Sequence, residues 1–111
     1  MEQIGNFIRK NGIKVPSEQQ NTLDIEGYYF TTHQNTQIAM WECLADRTSK
    51  RHTHAFNEYM ICLKGEYTAF IENEKHVLKE SDDLFIPKGK EQWGMCKAGT
   101  ITIHFFDGLR F

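Results

Sequence analysis

The chain has 111 residues, of which 40% are hydrophobic and 25% charged, so it is long enough for one domain with a real core and too short to expect two. Its formal net charge of −2 gives no electrostatic reason to expect nucleic acid or an anionic membrane as a partner. No run approaches the roughly 18 apolar residues that a spanning helix needs, and the first residues lack the apolar centre of a signal peptide.

The amino-terminal residues 1–24 are predicted to form an appendage to a single domain at 25–111. Ile4, Phe7 and Ile8 make a short helical stripe that Asn11-Gly12 would end, and the polar stretch "VPSEQQNT" follows as a loop.

Short strands with close-set turns dominate the rest of the chain. The turn chemistry is that of "KGE", "ENEK", "ESDD", "PKGK" and "KAGT", and no helical period of useful length lies between the strands. This pattern predicts an all-β, antiparallel sandwich or barrel, since only sheet-on-sheet packing or closure buries the apolar faces. The predicted strands cover residues 27–33, 37–45, 50–54, 58–64, 67–72, 75–79, 83–86, 92–96 and 100–106.

Three cysteines, Cys43, Cys62 and Cys96, are odd in number, widely spaced and in no C-x-x-C pair. This usage is typical of reduced thiols, so we expect all three to be small apolar side chains in the core. Together with the absence of a signal peptide, it predicts a cytoplasmic protein.

The stretch "HTHAFNEYMICLKG", residues 52–65, contains three candidate metal ligands close together in the sequence. His52 and His54 point the same way if their strand is regular, and a short turn would bring Glu58 opposite them. Two imidazoles and one carboxylate suit a divalent transition metal and leave other coordination positions open. The residues alone equally allow an exposed H-x-H at a strand end, with Glu58 as its counter-charge.

Two motifs then resemble those of the cupin superfamily, in its small single-domain (cupin 2) form. The first, H-x-H-x3-E-x6-G, is matched without gaps, and the second, G-x5-P-x-G-x2-H, is matched in part within "SDDLFIPKGKEQ". The matching residues are His52, His54, Glu58, Gly65, Pro87 and Gly89. The resemblance implies a small β-barrel or jelly roll, a homodimer, and one divalent transition metal (Fe, Mn, Ni or Zn) held by His52, His54 and Glu58.

Gln92 departs from this pattern, because it stands where the family usually has a histidine as fourth ligand. An amide oxygen is a weaker donor than an imidazole for most transition metals. Three interpretations stay open. Gln92 binds the metal or a metal-bound water; Glu91 or His104 supplies the donor instead; or the metal is lost and the pocket binds an organic ligand by hydrogen bonds.

The expected function is therefore a metal-binding cupin that binds or acts on a small polar metabolite, a sugar or an organic acid. An isomerase, lyase or dioxygenase fits this description, and the alternative is a metal-free ligand-binding module without catalytic activity. Four further residues are predicted to line the pocket: Met60 and Cys62 on the face of Glu58, Trp93 next to Gln92, and Phe56.

Overall fold

Strands are the main regular structure in the computed structural model, which describes residues 4–111. The helix α1, Asn6–Asn11, ends at Gly12 as the sequence predicts, and a turn of 3₁₀ helix covers Ser17–Gln19. Within this range no helix is both long and apolar enough to cross a bilayer. Residues 1–3 of the predicted appendage lie outside the described residues.

Ten strands are paired antiparallel throughout. They are β1 Ile13–Lys14, β2 Ile25–Thr31, β3 Gln37–Cys43, β4 Arg47–Thr48, β5 Glu58–Lys64, β6 Tyr67–Ile71, β7 Glu74–Leu78, β8 Asp83–Ile86, β9 Gln92–Cys96 and β10 Ile101–Phe106.

The strands form two sheets that pack face to face. One has six strands in the order β1-β2-β3-β10-β5-β8, and the other has four in the order β4-β9-β6-β7. This architecture confirms the predicted all-β jelly-roll class. The sheets are not closed into a barrel, however, because no strand of one sheet pairs with a strand of the other in the described part of the chain.

Alternation along the strands explains the core. In β5, Glu58, Met60 and Cys62 all point inward and are 2% exposed or less, whereas Tyr59 points outward. Met60 and Cys62 pack there against Ile71, Leu78 and Ile86. Glu58 therefore lies at one end of an inward face that is otherwise apolar as far as Cys62.

The predicted strand at 50–54 is wrong. His52 makes an isolated bridge to Gln92, and the strand β4 lies just before this segment instead. The reason is that the backbone partners change from residue to residue: Lys50 N donates to Asn21 O at 2.8 Å, while His52 N donates to Gln92 O at 2.9 Å. A continuous ladder therefore cannot form.

The amino-terminal segment is tied to the six-stranded sheet. The strand β1 pairs with β2, and Val15 is only 2% exposed. The segment thus contributes to the core, and the division at residues 24 and 25 stays a prediction.

A disulfide joins Cys43 of β3 to Cys96 of β9, with 6.5 Å between the Cα atoms. The expectation of three reduced thiols is therefore wrong for two of them, whereas Cys62 is free and buried. The partners are separated by 53 positions in the sequence, so local patterns do not indicate that their strands face each other across the sandwich. The bond also removes the cysteine argument for a reducing compartment.

Candidate functional site

A cavity of about 60 Å³ lies between the two sheets. It has room for a few water molecules or a very small ligand. Side chains from both sheets and from the amino-terminal segment line it. Its polar lining includes His52, Glu58, Tyr67, Gln92, His104 and Arg110.

His52 is positioned by its backbone and by its own ring. The bridge to Gln92 fixes the backbone, and the ring Nδ1 lies 2.7 Å from the carbonyl oxygen of Lys50. Because a carbonyl only accepts, Nδ1 carries the proton and Nε2 keeps its lone pair. Burial lowers the pKa of His52, against the opposing hydrogen bond to Lys50, so the ring is neutral at pH 7.

His54 stacks on Phe56, with 4.7 Å between ring centroids, and its centroid is 4.8 Å from that of His52. Its Nε2 is buried and has no hydrogen-bond partner among residues 4–111. Glu58 Oε1 lies 3.7 Å from this nitrogen. Burial first, and then the charge of Arg110, lower the pKa of His54 to about 4.

Glu58 begins β5 and is buried, and both of its carboxylate oxygens have hydrogen-bond partners. His104 Nδ1 lies 2.5 Å from Oε2, and Gln92 Nε2 donates to Oε1 at 3.2 Å. His104 is held in turn by Thr102, whose Oγ1 is 2.8 Å from Nε2. Burial alone would raise the pKa of Glu58, yet the hydrogen bond to His104 and the charges of His104 and Arg110 lower it to about 2.

These contacts bear on the question that Gln92 raises. Gln92 turns its amide nitrogen toward Glu58, and His104 lies beside the same carboxylate. Glu91 points outward and pairs with Arg51 at 3.4 Å, so it takes no part in the cavity. Of the two substitutes that the sequence allows, only His104 lies at the site.

The four residues predicted to line the pocket lie elsewhere. Met60 and Cys62 belong to the core cluster deeper along β5. Trp93 follows the inward-facing Gln92, so it is on the outer face, where it stacks on Phe70 with 4.0 Å between centroids. Phe56 contacts His54 from outside the cavity lining.

Sequence reasoning missed Arg110, which follows the last strand and lines the cavity. Burial lowers its pKa, opposed by the charges of Glu58 and Tyr67. The sequence did carry one signal, since Arg110 stands between the apolar residues Leu109 and Phe111. Arginines are mostly exposed, so apolar neighbours on both sides are a reason to consider a partly buried one.

No protein-family model matches the chain, and no curated protein sequence matches it. Solved structures do. KdgF from a Halomonas species is similar with a TM-score of 0.70 at 12% identity, over 86% of each chain. An RmlC-like cupin from Shewanella frigidimarina has a TM-score of 0.69 at 16% identity, over 85% of this chain and 92% of that one. A cupin superfamily protein from Desulfitobacterium hafniense has a TM-score of 0.69 at 14% identity, over 76% and 77%. The chain has the cupin fold.

The cupin fold brings the first-motif residues His52, His54 and Glu58 to one region, and Gln92 of the second motif joins them. The donors suit a divalent cation in kind: two neutral imidazoles and an ionised carboxylate. Their arrangement fits a metal only in part. In the described range, no three His, Cys, Asp or Glu side chains are close enough together to hold an ion as they stand. Glu58 is turned toward His104 and Gln92 instead.

Proposed function

We propose that this cupin-fold chain holds one divalent transition metal through His52, His54 and Glu58. Gln92 would serve as a fourth ligand or as a hydrogen-bond partner of a metal-bound water. The cavity would bind a small polar metabolite, a sugar or an organic acid, or the part of it that enters the cavity. Whether a reaction follows depends on that ligand.

The buried Nε2 of His54 carries the proposal. A buried polar atom without a partner costs free energy, so it is retained where it has a use. Its 3.7 Å separation from Glu58 Oε1 is too long for a hydrogen bond. This separation is within the span of two ligands of one ion, since two bonds of about 2.0–2.2 Å reach up to about 4.4 Å.

The protonation states of the ligands support the same role. Depressed pKa values keep both imidazoles neutral with lone pairs available, and the carboxylate of Glu58 is ionised at any pH above about 4.5. His104 orients Glu58 as hydrogen-bonded neighbours commonly orient metal ligands. When bound, the metal would supply Lewis-acid polarisation of a carbonyl or carboxylate oxygen.

Metal content tests the assignment directly. Protein purified without a histidine tag and loaded with Mn, Fe, Ni or Zn should hold about one ion per chain. The double variant His52→Ala and His54→Ala should hold none while keeping its circular dichroism spectrum. His33→Ala is the matched control, because His33 is exposed in the turn after β2. Full metal content in the double variant would overturn the ligand assignment, as would wild-type protein that takes up no ion.

A metal-free ligand pocket is the second candidate. It is favoured by the two hydrogen bonds that Glu58 already accepts, from His104 and Gln92, because they satisfy the carboxylate without a cation. A metal that binds only the folded state raises its melting temperature. Loss of that increment on adding a chelator supports the metal site, and an unchanged melting temperature supports the metal-free pocket.

The expected homodimer is also part of the proposal. Tyr59, Phe85 and Phe105 lie side by side on the outer face of β5, β8 and β10, and they are 36%, 55% and 40% exposed. Exposed apolar side chains in one group are typical of an interface. Light scattering during gel filtration should give the mass of a dimer, and Phe85→Ser should shift it to that of a monomer.

A further inference from the structure

Arg110 lies four residues beyond the end of β10, and its side chain lines the cavity between the sheets. The guanidinium rests on three aromatic rings, at 5.5 Å from the centroid of Trp41, 5.2 Å from Phe106 and 5.1 Å from Phe111. Trp41 itself lies over Gly27 on the neighbouring strand, where any Cβ would overlap the indole. The cation is therefore held on a packed aromatic surface and not on a mobile tail.

This guanidinium has no acidic partner among residues 4–111. The chain has four arginines, and three of them pair with carboxylates: Arg9 with Glu42 at 2.7 Å, Arg51 with Glu91 at 3.4 Å, and Arg47 with Asp24. Among residues 4–111, Arg110 makes no ion pair within 4.0 Å, and the only hydrogen bond it donates comes from its backbone nitrogen. Glu58, the acidic residue of the cavity, accepts hydrogen bonds from His104 and Gln92 instead.

Arg110 is half-buried, and a cation partly removed from water without a hydrogen-bonded anion is destabilised; burial accordingly lowers the pKa of Arg110. The rings at its faces repay part of that cost, but they leave its in-plane N–H donors unused. Those donors form the planar fork that matches a carboxylate with two parallel hydrogen bonds.

We propose that Arg110 is the anion-binding group of the cavity and that the ligand carries a carboxylate. This inference rests on the proposed role of the cavity as a ligand site, but not on the presence of a metal. A cavity of about 60 Å³ restricts the ligand, or the part of it that enters, to a very small carboxylate. Of the two ligand classes proposed above, Arg110 thus selects organic acids over neutral sugars.

Acetate and acetamide are the probes, since they have the same shape and differ in charge. Each is titrated into chelator-treated, isotopically labelled protein at constant ionic strength, and binding is followed by NMR. Acetate should shift the Nε–H resonance of Arg110 and should bind at least about 10-fold more tightly than acetamide, as expected for charge-assisted hydrogen bonds. Equal binding of the two probes would overturn the inference.

Variants separate Arg110 from a general charge effect. Arg110→Gln should weaken acetate binding roughly 10-fold or more, whereas Arg51→Gln should leave it unchanged, because Arg51 also lies over an indole, at 5.6 Å from Trp93, but outside the cavity. If Arg110→Gln does not fold, Arg110→Lys replaces it and should still weaken binding, since an ammonium cannot form the two-pronged contact. Wild-type affinity in a folded Arg110 variant would overturn the inference.

The metal assignment can fail without affecting this result. Acetate binding to chelator-treated protein that depends on Arg110 supports the inference even if the protein never takes up an ion. Acetate binding that requires added metal and persists in Arg110→Gln would assign the carboxylate to the metal and refute the role of Arg110.

Discussion

Lowering the pH from about 7 to about 5 should cost the folded protein about 2 kcal/mol through the single side chain of His54. The imidazole has an ordinary pKa of 6.5, whereas burial, helped by the charge of Arg110, lowers it to about 4 in the folded chain. Between those two values the unfolded chain binds more protons than the folded one, so the free energy of unfolding decreases as the pH falls. Integrating the difference over this range gives the 2 kcal/mol, within the limit of about 1.4 kcal/mol per pH unit for one group.

Glu58 does not confuse this measurement. Its pKa is lowered from 4.5 to about 2, so its stabilising contribution is complete above about pH 5 and is lost only as the pH falls from 4.5 toward 2. The two groups therefore titrate in successive windows, His54 first.

Urea unfolding, followed by tryptophan fluorescence in the presence of a chelator, measures the effect. His54→Gln keeps a neutral polar side chain that does not titrate, so this variant should lose about 2 kcal/mol less than wild type over the same pH range. His33→Gln, at an exposed position, should behave as wild type. If the His54→Gln and wild-type stabilities decrease in parallel, the imidazole is not held neutral and the reasoning is refuted.

Three further perturbations test the site and its support. Replacing Cys43 and Cys96 by alanine should lower the free energy of unfolding by about 4 kcal/mol, since the bond closes a loop spanning 53 residues; coincident denaturation curves with wild type would contradict this. His104→Ala should cost about 3–5 kcal/mol, because Glu58 loses its 2.5 Å partner inside the protein, and a loss below about 1 kcal/mol in the same assay would show that the carboxylate finds water. Gln92→His should tighten the binding of a divalent metal in calorimetric titration, because an imidazole is a stronger donor than an amide; an unchanged Kd would remove Gln92 from the metal site.

The fold was predictable because its signals are local. Strand alternation depends only on neighbouring residues, and strands such as β5 and β9 begin where the pattern predicts. The helix ends at Gly12, where a Cβ would lie 2.6 Å from the carbonyl oxygen of Ile8 in the preceding turn. The motif spacing likewise placed His52, His54 and Glu58 together, since the turn between them is short.

The features that sequence reasoning missed are all non-local. The disulfide depends on two strands that face each other across the sandwich, and Arg110 reaches the cavity from beyond the last strand. Strand alternation predicts which side chains point inward, but not whether they reach the cavity or the apolar core. Met60 shares the inward face of Glu58 and lies in the apolar core. The segment at 50–54 has the composition of a strand, yet its backbone donors meet different partners along its length.

Gly27 does not line the cavity, yet it bears on the chemistry there. Its missing side chain leaves the space in which the indole of Trp41 lies flat, and the guanidinium of Arg110 rests on that indole. An alanine at this position would displace the ring and, with it, the support of the charge. Among relatives of this protein, the residue opposite the tryptophan is therefore a marker to inspect when asking which of them share the support under Arg110.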